Sequence, residues 1–140
     1  MSLSTVLAPV FVQVALTFAL LTWLGALRVR SVRAGAVQAR DVALGQPNWP
    51  PRVTQIGNAF RNQLELPVLF YLVIVLALFS AHATVGLVVL SWLFVASRLL
   101  HALIHVTTNN LQRRFFTYLA GLIVLIALWL LFLVEVLVSP

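Results

Sequence analysis

Two sets of polar residues interrupt apolar stretches of this chain, and both are spaced for one face of a helix. The first is Asn58, Asn62 and Glu65, extended backwards by Gln55. The second is Arg98, His101 and His105, followed by Asn109. Steps of three and four residues stack side chains on a single helical face. A carboxylate, a guanidinium and two imidazoles at these positions can hold one another in an ion pair, or together hold a zwitterionic ligand. His101 and His105 at i and i+4 also have a metal-ligand spacing. With no cysteine in the chain and no acidic partner close in sequence, a bound metal is not expected.

These residues sit where polar groups need a reason. The hydrophobic fraction is 62% and the charged fraction 9%, and the mean hydropathy is +1.06. A soluble domain carries roughly a quarter of its residues as charges, so lipid must be the solvent for much of this surface. Four apolar runs, at about 5–27, 56–80, 84–106 and 115–138, each approach the roughly 20 residues that cross a hydrocarbon core. The expected fold is all-α: an integral membrane four-helix bundle forming a single domain over residues 1–140. An ionisable group at the centre of such a span costs roughly 2.5–3.5 kcal/mol on insertion scales. The first run has neither a basic leader nor a small-residue cleavage site, so it is read as a retained span rather than a signal peptide.

The connections set the orientation. The net charge of +6 comes from arginine alone, since the chain has no lysine. Arg28, Arg30, Arg33, Arg40 and Arg52 fall between the first two runs, and Arg113 and Arg114 between the last two. The middle connection, Ser80-Ala81-His82-Ala83, has no formal charge. Positive charge between spans marks cytoplasmic loops, so loops one and three are placed in the cytoplasm and both termini outside. Arginines alternating with apolar runs do not make the soluble basic face that nucleic acid requires, so no nucleic-acid partner is expected.

Relative depth follows from the tight middle connection. Glu65 lies about 17 residues before its centre and Arg98 to His101 about 16–19 after, so at roughly 1.5 Å per residue they share a level. Glu65 is therefore expected to pair with Arg98 or His101, inside the bundle or between subunits. Pro67 predicts a kink with freed carbonyls in the second span. Thr117 and Gly121 form a small-xxx-small pair suited to close helix approach. Trp23, Trp92 and Trp129 suit a lipid-facing or interfacial position. His82 is expected to be a solvated turn residue, and Glu135 to reach the headgroups without chemistry.

The run Asn58-Ala59-Phe60-Arg61-Asn62-Gln63-Leu64-Glu65-Leu66-Pro67-Val68-Leu69-Phe70-Tyr71 resembles the second-helix motif of the MAPEG superfamily, the membrane-associated proteins of eicosanoid and glutathione metabolism. Arg98-Leu99-Leu100-His101, then His105, Arg113-Arg114 and Tyr118 are similar to its third helix and the segment after it. The resemblance covers essentially the whole chain and is closest to a bacterial branch, which would place the protein in a bacterial inner membrane. It implies a homotrimer that binds glutathione between neighbouring subunits toward the cytoplasmic side. By the same resemblance Asn62 and Glu65 contact glutathione, Arg98, His101 and Tyr118 line its site, and Arg114 is the catalytic arginine that stabilises the thiolate. Arg28 or Arg30 would reach the tripeptide from the end of the first span. Two of the candidate ligand-binding positions depart from the family pattern: Asn58 stands where an arginine is expected, and His105 where a tyrosine is.

Two functions from different classes are compatible with these residues. One is a glutathione-dependent transferase or peroxidase acting on a lipophilic small molecule of electrophilic character. The other is a non-catalytic trimeric scaffold or lipid-binding module in which the polar stripes only join helices. A transporter ranks behind both, because four short spans carry no acidic chain across the full bilayer.

Overall fold

The first apolar run folds as a helix, α1 (Leu3–Arg33), in a computed structural model that describes residues 1–138. Ser2 opens it by accepting from the Thr5 amide at 3.3 Å, which satisfies one of the free donors of a helix start. It ends where Gly35 takes a positive φ of 71°. After an irregular loop with one 3₁₀ turn at Ala39–Asp41, α2 (Pro51–Arg61) begins on a proline, which costs nothing there because the first-turn N–H has no helical partner. A 3₁₀ turn, Asn62–Leu64, leads to α3 (Leu66–Phe79). Thr84 caps α4 (Val85–Val106) by accepting from the Leu87 amide at 3.3 Å. The last helix is α5 (Leu111–Val138).

Four stretches are long and apolar enough to cross a bilayer: Leu3–Arg33, Pro51–Phe79, Val85–Val106 and Leu111–Val138. The chain is a multi-pass, membrane-spanning, all-α bundle. In their most apolar windows α1 and α5 bury 17% of residues, against 39% for Pro51–Phe79 and 44% for α4. The middle crossings therefore supply the interior, while α1 and α5 present most of their apolar surface outward, as lipid contact requires. The core centres on Phe70 and Phe94, whose rings stack with centroids 4.8 Å apart. Val73, Ile74, Leu87, Leu125 and Leu128 close around them.

The second crossing is not one kinked helix, as Pro67 alone suggests, but two helices with an interruption between them. Glu65 sits at φ −99°, ψ −106°, outside helical space. Pro67 has no N–H to offer the Gln63 carbonyl, so a continuous helix could not close its hydrogen bonds here. This break turns the first polar set, Asn58, Asn62 and Glu65, away from a regular stripe.

Helices α4 and α5 form the most extensive helix pair, and Gly121 shows why they can. A Cβ there would stand 2.8 Å from Ser97 Oγ and 3.6 Å from Arg98 Cδ. Gly121→Leu is expected to destabilise the protein by about 1–3 kcal/mol through overpacking, measured by thermal denaturation in detergent. Gly121→Ala should lose less, because the Ser97 hydroxyl can rotate aside. A leucine variant as stable as the parent would show that the approach has slack.

Candidate functional site

Periodicity on α4 turns Arg98, His101 and His105 toward the bundle, and all three are buried, with Arg98 and His105 at 0% exposure. Among the described residues, none of the three guanidinium nitrogens of Arg98 has a hydrogen-bond partner. The face of the Tyr118 ring lies 5.5 Å from its guanidinium carbon. His101 Nδ1 donates to the Arg114 carbonyl at 3.0 Å, with Thr117 Oγ1 at 3.1 Å from the same nitrogen. A carbonyl can only accept, so Nδ1 carries the proton and Nε2 presents a lone pair. That Nε2 is buried and, among the described residues, without a partner. The His105 ring lies 5.7 Å from that of His101, and among the described residues neither of its nitrogens is partnered.

Within one subunit Glu65 does not pair directly with Arg98 or His101. Its Oε2 accepts from the Tyr118 hydroxyl at 3.2 Å, and the only ion pair among the described residues is Arg40–Asp41 at 3.8 Å. The interruption of the second crossing explains this correction. Glu65 lies outside the helix, its side chain is exposed, and a tyrosine from α5 fills the space between carboxylate and guanidinium. The polar seam exists, but as Glu65–Tyr118–Arg98 rather than as a two-residue pair.

Arg114 stands at the start of α5, half-buried, with Nη1 donating to Asn109 Oδ1 at 2.9 Å and Nε buried without a partner among the described residues. A small cleft of about 160 Å³ joins Asn62, His101, Arg114 and Tyr118, walled by Leu111 and Phe115. Arg28 and Asn58 lie elsewhere, lining a separate cleft of about 530 Å³ between α1 and α2 together with Arg61 and Trp49. Arg28 sits over the Trp49 ring at 5.1 Å. Arg30 is exposed and joins neither group. Within one subunit Arg28 and Asn58 line one cleft and Asn62, His101, Arg114 and Tyr118 the other, while Arg30, Glu65, Arg98 and His105 line neither.

Gln55 has a structural task. The last carbonyls of a helix have no intrahelical donor. For α4 they are met from α2: Gln55 Nε2 donates to the His105 carbonyl at 2.8 Å, and Arg52 Nη1 to the Val106 carbonyl at 2.7 Å. Another polar pair lies outside the two stripes. Gln13, in mid-span on α1, donates through Nε2 to Gln63 Oε1 at 2.8 Å, and Gln63 Nε2 donates to the Ala59 carbonyl at 3.1 Å. Both glutamines are buried, and the pair pins the interruption between Asn62 and Glu65 to α1. The available signal was an amide in the middle of the first apolar run, where such a group needs a partner. Gln63→Leu is expected to destabilise by about 1–3 kcal/mol by stranding the Gln13 amide. The double variant with Gln13→Leu should recover part of that loss in thermal denaturation, and strict additivity would show that the pair carries no coupling.

At the opposite end of the bundle Glu135 is half-buried and accepts from Thr84 Oγ1 at 2.6 Å, so it braces the cap of α4 rather than extending to headgroups.

The profile of one protein family, described as the MAPEG family, matches residues 6–134. No curated protein and no solved structure gives a match.

Proposed function

This chain belongs to the MAPEG family, and on that premise we propose that it is a glutathione-dependent transferase or peroxidase acting on lipophilic electrophiles. The observation that carries the reading is the convergence of Asn62, His101, Arg114 and Tyr118 on one cleft, backed by a buried guanidinium with no partner. Glutathione presents two carboxylates, an ammonium, amides and a thiol. The chain offers matching groups: donors on Arg114, an acceptor on Glu65, an amide on Asn62, and a buried cation at Arg98 behind Tyr118. Bound there, glutathione would supply the sulfur nucleophile that the chain, having no cysteine, lacks.

The chain's own residues then divide the work. The Arg114 guanidinium favours the anionic form of a sulfur placed beside it, as positive surroundings do for cysteine. Glu65 receives an amine, and Tyr118 holds Glu65 in place. Arg98 adds positive potential behind the ring of Tyr118. A cleft of about 160 Å³ is smaller than the roughly 300–1,000 Å³ of small-molecule sites, so a tripeptide needs a second wall. A homotrimer supplies one, with Arg28 and Asn58 of a neighbouring copy facing the first cleft. The arginine-rich end lies in the cytoplasm, where glutathione is abundant, and both termini lie outside.

The experiment is thermal unfolding in detergent with increasing glutathione, alongside conjugation of a chlorodinitrobenzene. In that reaction a sulfur–carbon bond forms, chloride leaves with its electron pair, and the thiol proton passes to solvent. Saturable stabilisation, about 2.7 kcal/mol at a hundredfold excess over Kd, together with thiol-dependent conjugation supports the reading. The absence of both at millimolar glutathione, in a trimer that stays intact, overturns it. A trimeric scaffold, in which the bonds of Tyr118 to Glu65 and of Arg114 to Asn109 only tie α5 to the second crossing and to the connection before it, would then account for the same residues.

A further inference from the structure

A further concave surface, apart from the two clefts, lies on the other side of α4. Leu16, Leu20 and Trp23 of α1 face Leu99, Leu103 and Val106 of α4 across a groove of about 410 Å³. The lining is apolar throughout. On α4 these positions fall on a different face from Arg98, His101 and His105, so the groove is separate from the glutathione-type cleft. It runs lengthwise. Trp23 and Val106 stand at the arginine-rich end and Leu16 and Leu99 deeper, about 10 Å further in at the helical rise.

Arg52 closes the shallow end. Its guanidinium carbon lies 5.1 Å over the Trp23 ring, and its Nη1 donates to the Val106 carbonyl at 2.7 Å. Among the described residues, no acceptor takes its Nε or Nη2. These donors face a surface short of negative charge: Arg28, Arg30, Arg33, Arg40, Arg113 and Arg114 share that end, and Asp41 is the only acid there, already paired to Arg40.

We propose that this groove binds an anionic phospholipid of the surrounding leaflet, with one acyl chain between α1 and α4 and the phosphate on Arg52. The polarity of the site selects that occupant. Charge sits at the membrane surface and the apolar floor descends inward, within the roughly 15 Å of one hydrocarbon leaflet, which is the arrangement of a lipid in place. Arg52 is pre-set by Trp23 and Val106, so it loses little freedom on engaging a phosphate. The unopposed arginines draw anionic headgroups to the same end.

Native mass spectrometry of the detergent-purified protein tests this, with phosphatidylglycerol and phosphatidylcholine of identical acyl chains added in turn. Phosphatidylglycerol should be retained about fivefold better, the preference that one basic residue near an anionic surface supplies. Arg52→Gln should remove the preference, while Arg113→Gln, outside the groove, should keep it. Leu103 is 57% exposed, so Leu103→Trp fills the groove without disturbing the core and should lower retention of both lipids. Equal retention of the two lipids by the parent protein overturns the proposal, as does undiminished retention by Leu103→Trp. A change in the number of associated copies in Leu103→Trp, with lipid retention unaltered, would show that a second copy of the chain covers the groove. None of these outcomes depends on whether the protein binds glutathione.

Discussion

Replacing Arg114 by alanine is expected to lower glutathione-dependent conjugation by about 10²–10³-fold, the usual loss when one preorganised donor is removed from a developing or resident anion. Folding should change little, because the residue is only half-buried and its one side-chain bond reaches the exposed Asn109. That bond also supplies the control. Asn109 sits at a φ of 50°, a conformation glycine adopts freely, so Asn109→Gly removes the brace while leaving the cation in place. Activity should survive Asn109→Gly and fail in Arg114→Ala, with Arg114→Lys between them as a charge without the planar fork. Equal losses in the glycine and alanine variants would mean that Arg114 only shapes the connection between α4 and α5, and the assignment of a thiolate-stabilising role would fall.

The second large effect concerns Arg98, and its two readouts should move in opposite directions. A guanidinium at 0% exposure with no hydrogen-bond partner among the described residues is an uncompensated charge, and such groups destabilise the fold that holds them. Methionine has a similar reach and no charge. Arg98→Met should therefore hold or raise the melting temperature, since apolar replacement of a buried charge is often neutral or stabilising by about 1–4 kcal/mol. The same variant should lose most of the stabilisation that glutathione confers on the parent. A protein keeps an unfavourable charge where a ligand repays the burial. Should Arg98→Met instead unfold several degrees lower, the guanidinium would have a structural partner on a neighbouring subunit, and its place in the ligand site would be lost.

The membrane-spanning bundle could be read from the chain because each apolar run exceeds what a soluble core uses. The inward direction of Arg98, His101 and His105 could be read from helical periodicity, which holds along α4 without interruption. It failed where the helix failed. Glu65 was aligned with Asn58 by counting residues through a regular helix, but the 3₁₀ turn at Asn62–Leu64 resets the angle. Tyr118 lies 53 residues beyond Glu65 in sequence, and no local spacing marks it as the group that enters between carboxylate and guanidinium. Gln13 and Gln63 were hidden for the same reason: each looks like an isolated amide until two helices are brought together. The separation of Arg28 and Asn58 from Asn62 depends on which side of α2 each cleft opens, a matter of packing rather than of period.

The interrupted second crossing has an electrostatic consequence. A helix concentrates partial positive charge at its amino end, and in an unbroken crossing that pole would lie at the membrane surface. Here α3 starts at Leu66, with Glu65 as its N-cap residue, so its pole opens partway along the Pro51–Phe79 crossing. Peptide dipoles thereby furnish part of the counter-field that no side-chain cation provides by direct contact. An acidic group can be lodged at this depth because the backbone was cut next to it.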